Sequence, residues 1–171
     1  VDRGYDLIAP IPSCVLMYKQ ELPLMYPDDP QVQKVQQAFY DPFEYLWLRH
    51  KGGAFNTEFP NAIGSVAYQV ACHQRVQKIG LKTRDILALV ADSDIVAYER
   101  CSGHDGTYAV KSETRAKSVK IARPTVKKVD AQAPDHLISD CPMAGAQIAD
   151  LAESVDTALH PMTLLRMAYG F

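Results

Sequence analysis

A chain of 171 residues, 47% apolar and 22% charged, suits a packed globular protein rather than a disordered one. Its formal net charge of −2 argues against a general nucleic-acid binder, and it has no apolar run long enough to span a membrane. Four cysteines are too sparse for a secreted disulfide framework, and Val1-Asp2-Arg3-Gly4 lacks the basic and apolar regions of a signal peptide. The expectation is a cytoplasmic chain with reduced or metal-bound thiols, its opening on Val marking a processed protein or a fragment of a longer one.

The first strand is expected in "YDLIAPI" (5–11), followed by a Pro-Ser turn and the apolar helical segment "CVLMYKQELPLMY". Pro23 should stop or bend that helix, because it removes a backbone donor. Residues 26–50 read as helical. Asp29 is the cap, Pro30 the first helical position, and Val32, Val35, Phe39, Phe43, Leu46 and Trp47 the apolar stripe. A loop rich in Gly, Asn and Pro covers 51–64.

From there strands and helices alternate. "SVAYQVA" (65–71), "DIVAYER" (94–100) and "HLISD" (136–140) read as strands. Between them fall helices over 83–92 and 108–130, the second with a kink at Pro124, and a further helix over 144–152. A last helix begins near Pro161 and ends at Gly170. This alternation predicts an α/β fold, a parallel sheet with right-handed crossover helices.

All four cysteines then fall just past the C-terminal end of a predicted strand: Cys14, Cys72, Cys101 and Cys141. A lone cysteine usually packs as a small hydrophobe. Four at equivalent topological positions point instead to a thiolate-lined site, because strand ends form the binding crevice of open α/β sheets. Gathered thiolates suit zinc or the iron of an iron–sulfur cluster. His73 follows Cys72, and His104 sits in the turn "CSGHDGTY"; either can ligate a metal or support a thiolate, or serve only in a turn. In that turn Gly103 and Gly106 permit close backbone approach to a ligand around His104, with a helix expected to begin near Thr107. An ordinary capped strand–helix turn fits the same residues. His50, His136 and His160 read as structural.

The order "ACH", "ERCSGHDGTY", "SDCPMAG" resembles the cysteine-rich CCG domain. That domain occurs in the cysteine-rich component of heterodisulfide reductase and in the iron–sulfur components of glycolate oxidase and of anaerobic glycerol-3-phosphate dehydrogenase. "PSCVLMYKQELPLMYPDD" and "HPMTLLRMAYG" look most like the anaerobic glycerol-3-phosphate dehydrogenase group. On this resemblance residues 1–60 are the tail of a first module plus a linker, and 61–171 are a second, degenerate module. Cys72 stands as the first cysteine, Cys101-Ser102-Gly103 as the CCG, and Cys141 as the first member of the closing pair. Ser102, Ala144 and Ile11 replace cysteines of the pattern, Ile11 being the partner of Cys14. The five-cysteine cluster of the heterodisulfide reductases therefore cannot be assembled from the second module. Cys72, Cys101, Cys141 and Cys14, or three of these with His73 or His104, suffice for a [4Fe–4S] cluster or zinc.

The resemblance implies an oxidoreductase subunit rather than a self-contained catalyst: an electron-transfer module of a flavin-linked dehydrogenase complex. Its partners would be a flavoprotein dehydrogenase subunit and a membrane quinone-linked subunit, placing the protein in the cytoplasm or at the inner face of the membrane. The alternative is a zinc-bound or metal-free scaffold for subunit interaction, and a third reading is thiol–disulfide exchange at Cys101. No P-loop, GxGxxG or Ser-His-Asp arrangement on a nucleophile-elbow turn competes. The cations of residues 111–128 suit a solvated helix face, or a docking face for an acidic subunit or anionic membrane.

Overall fold

A computed structural model describes every residue from Val1 to Phe171. Proline and aspartate punctuate its first elements. Strand β1 is only Leu7–Ile8 and pairs in parallel with β2, Phe39–Tyr40, as a separate two-stranded sheet. Between them α1 (Pro12–Leu16) runs through a π-helical turn (Met17–Glu21) into α2 (Leu22–Met25). Pro23 is accommodated rather than disruptive. Its missing N–H orphans the Lys19 carbonyl four residues back, and Gln36 Nε2 donates to that carbonyl at 2.7 Å.

Helix α3 (Pro30–Ala38) starts as expected, with the Asp29 side chain accepting from the N–H groups of Gln31 and Val32. The single helix expected through His50 is two. The chain is extended at Phe39–Tyr40, and α4 (Pro42–Lys51) begins afresh with its own cap. Asp41 accepts from the N–H groups of Phe43 and Glu44, while the Glu44 carboxylate accepts from the Asp41 N–H, a reciprocal capping box.

The remaining strands form one sheet: β3 (Gly64–Gln69), β4 (Ser93–Tyr98), β5 (His136–Ser139) and β6 (Ala158–Leu159). Their order is β4-β3-β5-β6, with every pairing parallel. The expected α/β class holds, and β6 is a strand that the apolar patterning does not announce. Helices α5 (Cys72–Val76) and α6 (Lys82–Leu87) connect β3 to β4. Helix α7 (Ser112–Gln132) connects β4 to β5, α8 (Pro142–Ala149) connects β5 to β6, and α9 (Pro161–Ala168) ends the chain. The helix expected from Thr107 starts later, at Ser112, and it runs on through Pro124, whose ring faces solvent.

Alternation along β3 divides the core in two. Val66, Tyr68 and Val70 face a cluster with Phe43 of α4, Ile86 and Leu87 of α6, and Leu164, Leu165 and Ala168 of α9. Ala67 faces the other way, with Leu137 against Ala122, Val126 and Val129 of α7 and Ile148 of α8. Phe43 is fully buried, and Trp47, Phe55 and Phe59 pack against its cluster. Aromatic residues before position 60 thus share the core of the four-stranded sheet. Lys117, Lys120, Arg123 and Lys127 of α7 are exposed, opposite its buried residues. No helix is long and apolar enough to cross a membrane.

Candidate functional site

Register alone brings three cysteines together. In the β3–β4 ladder Gln69 lies opposite Tyr98, and three residues further on the chain carries Cys72 into the first turn of α5 and Cys101 into the loop after β4. In the β3–β5 ladder Gln69 lies opposite Ser139, two residues before Cys141, the N-cap of α8. The strand ends thus present Cys101, Cys72 and Cys141 in that spatial order. The chain passes from β3 to β4 on one side and from β5 to β6 on the other, so the adjacent ends of β3 and β5 mark a topological switch point, the place where open α/β sheets bind ligands.

A crevice of about 450 Å³ opens there. Cys72, Cys101 and Cys141 all line it, with His73, His104, Gly103 and Gly106. Cys14 does not. It lies exposed in the first turn of α1, while its neighbours Ile11, Pro12 and Ser13 reach the crevice. The crevice therefore gathers three of the four expected thiols, with Cys14 outside its lining although the preceding residues of the same turn reach it. Ile11, Ser102 and Ala144, the positions where the resemblance would expect cysteines, all line the same crevice.

The crevice floor is a chain of buried hydrogen bonds. Gln69, fully buried, donates through Nε2 to the carbonyls of Val70 and Arg100, both at 2.9 Å. Its Oε1 accepts from Ser139 Oγ at 2.8 Å, and Ser139 Oγ accepts the Cys141 N–H at 3.2 Å. One side chain ties the ends of β3, β4 and β5 together beneath the sulfurs, with its polar atoms satisfied.

The loop carrying Cys101 is clamped from above by α7. Thr125 Oγ1 donates to the Cys101 carbonyl at 2.8 Å, and Ser118 Oγ to the Gly103 carbonyl at 2.6 Å. Gln147 Nε2 in turn donates to Ser118 Oγ. Gly103 has φ +76°, and a Cβ there would stand 2.3 Å from the Ser118 carbonyl oxygen, so only glycine fits. Its N–H donates to Cys101 Sγ at 3.3 Å. Ser102 is 5% exposed, and its Oγ accepts from the His104 N–H, which is the turn role. Burial first, and then the neighbouring Cys101 sulfur, push the Cys72 thiol above its ordinary pKa, with Arg75 opposing.

On the opposite face of β3 a second polar group supports the same strand ends. Asp140, which precedes Cys141, accepts from Tyr68 Oη at 2.5 Å and Thr83 Oγ1 at 2.8 Å. Burial raises Asp140 to about 6 despite these bonds. Burial, with the Asp140 carboxyl nearby, raises Asp41 at the start of α4 to about 7. Of the structural histidines, His160 caps α9 by accepting from the Met162 N–H through Nδ1, and its Nε2 lies 3.0 Å from the Pro10 carbonyl oxygen.

Neither a family model nor a curated protein matches the chain.

The residues that reading the sequence missed are the supports: Gln69, Ser139, Ser118, Thr125 and the pair Tyr68–Asp140. A signal for them exists. A glutamine inside the apolar strand "SVAYQVA" and a Ser-Asp pair closing "HLISD" are polar groups at buried strand positions, which must find partners.

Proposed function

We propose that the crevice at the sheet's carboxyl edge is a metal centre of the iron–sulfur type. On this reading the chain is a degenerate CCG-type electron-transfer module of a flavin-linked dehydrogenase complex, taking electrons from a flavoprotein and passing them toward quinone. The observation that carries the reading is the convergence of Cys72, Cys101 and Cys141 on one crevice at the switch point, with Ile11, Ser102 and Ala144 lining the same walls.

The donor chemistry fits. Three thiols with an imidazole from His104 or His73 make a four-donor set for soft metals, and Cys14 stays outside it. No group of three or more His, Cys, Asp or Glu side chains is drawn around one ion-sized point. A bound cluster would supply one-electron transfer, its potential set by burial and by hydrogen bonds to sulfur. Gly103 N–H already donates to Cys101 Sγ, and the Gln69 chain holds the strand ends at fixed spacing.

A second reading, a zinc-bound or metal-free scaffold that binds another protein of a complex, is favoured by the three lost cysteine positions. Anaerobic purification with iron, zinc and sulfide analysis, and EPR after reduction, decides between them. The electron-transfer reading expects a brown protein with iron and acid-labile sulfide in comparable amounts. A colourless, iron-free protein would overturn it, and stoichiometric zinc without iron would establish the scaffold.

A further inference from the structure

The β3–β4 register does more than place two sulfurs in one crevice. It delivers Cys72, the first residue of α5, and Cys101, in the loop after β4, from adjacent strands to positions where their side chains interact, with the ladder still bonded just before them by the Val70 N–H to the Tyr98 carbonyl at 3.1 Å. The two strands lie about 4.8 Å apart where their ladder ends at Gln69 and Tyr98, and both cysteines follow within three residues. A disulfide needs Cα atoms roughly 4.4–6.8 Å apart. Both residues are exposed, both face the crevice, and Cys101 is the strongest ionisable influence on Cys72, ahead of Arg75 and Cys141.

We propose that Cys72 and Cys101 form a redox dithiol that interconverts with a Cys72–Cys101 disulfide by exchange with low-molecular-weight disulfides. Attack by one of the two protein sulfurs breaks the small S–S bond and forms a mixed disulfide, releasing one small thiol. The second protein sulfur displaces the other small thiol as the Cys72–Cys101 bond forms. Two protein thiols and one small disulfide thus become one protein disulfide and two small thiols, which carry away both protons.

Selectivity comes from the surroundings. The Cys101 loop is fixed by Thr125 and by Ser118, so closing the bridge orders little new chain. Cys141 follows β5, on the side of β3 away from Cys101, is half-buried, and has its N–H tied to Ser139. Cys14 lies outside the crevice. The couple goes beyond the metal centre and is independent of it, since it is read in metal-free protein.

The full chain is reduced, freed of metal with chelator under argon, and equilibrated with glutathione at increasing oxidation. Free thiols should fall from four to two per chain, and peptide mapping should find one dominant Cys72–Cys101 link. That link should persist in Cys141→Ser and Cys14→Ser and vanish in Cys101→Ser. In urea, where register is lost, the preference should disappear. Four free thiols at the oxidising end, a dominant bridge to Cys14 or Cys141, or an equal preference in urea would each overturn the proposal.

Discussion

Two helix starts in this protein use the same local device and end differently. Helix α1 begins Ile11-Pro12-Ser13-Cys14 and α8 begins Cys141-Pro142-Met143-Ala144. Each places proline at the first helical position after an extended N-cap residue, with φ −109° at Ile11 and −101° at Cys141. Ile11 is therefore the counterpart of Cys141, and Cys14 the counterpart of Ala144. Both N-cap residues line the crevice. At the third helical position, however, Ala144 is 5% exposed and lines it, while Cys14 is exposed and lies outside it.

The difference lies in what precedes each turn. Cys141 leaves an interior strand of the four-stranded sheet, and its N–H is held by Ser139 and through it by Gln69. Cys14 follows a two-residue strand of the small sheet, and only Gln77 Nε2 to the Pro12 carbonyl and His160 to the Pro10 carbonyl tie that turn across. A cysteine in a Pro-initiated turn becomes part of a site only where the sheet behind it is built to aim it.

The largest expected effect breaks that pairing directly. Replacing Cys72, Cys101 or Cys141 by Ser should remove most of the iron retained after anaerobic purification, whereas Cys14→Ser should retain nearly all of it. Next is the loop that holds Cys101. Gly103→Ala forces a Cβ onto the Ser118 carbonyl at positive φ and should cost about 2–4 kcal/mol in denaturant unfolding. Gly106→Ala, with φ +58° but open space around it, should cost only about 1 kcal/mol.

Gln69→Ala should follow at about 2–3 kcal/mol, since it orphans the carbonyls of Val70 and Arg100 and the Ser139 hydroxyl. It should also lower metal retention, by loosening the Cys141 turn and leaving α1 unchanged. The pH dependence of stability gives a smaller effect. Burial and the neighbouring carboxyls of Asp140 and Glu44 raise Asp41 to about 7 in the folded chain, against 3.8 unfolded. The folded chain holds that proton more tightly, so its contribution to stability is complete below about pH 4 and is lost as pH rises through about 7. Asp41→Asn keeps a good N-cap, so it should flatten this decline and raise the melting temperature at pH 8. The smallest effect sharpens the comparison: Ala144→Cys should raise iron retention modestly, and Met143→Cys, one residue away but exposed and outside the crevice, should not.

The legible and illegible parts separate along physical lines. Strands β3, β4 and β5 were readable because buried parallel strands are apolar runs, and the cysteines after them could be seen to share one edge. The break at Phe39–Tyr40 was hidden because Phe39 and Phe43 keep helical spacing across it. Yet Asp41-Pro42 repeats the Asp29-Pro30 start signal. Strand β6 is two residues pairing with β5 and has no apolar run of its own. The setting of Cys14 could not be read locally, because it depends on how the α1 turn seats against the crevice, which Ile11, Pro12 and Ser13 line and Cys14 does not. The Gln69 chain depends on register between residues 70 apart.

The claim that three strand-end sulfurs act as one centre, with the fourth outside it, is tested most directly by differential alkylation. Anaerobically iron-loaded protein is treated with iodoacetamide, and labelling is mapped at each cysteine. Cys14 should be labelled readily while Cys72, Cys101 and Cys141 are protected together until the metal is chelated. Protection of Cys14, or labelling of all four at similar rates with iron still bound, would contradict it.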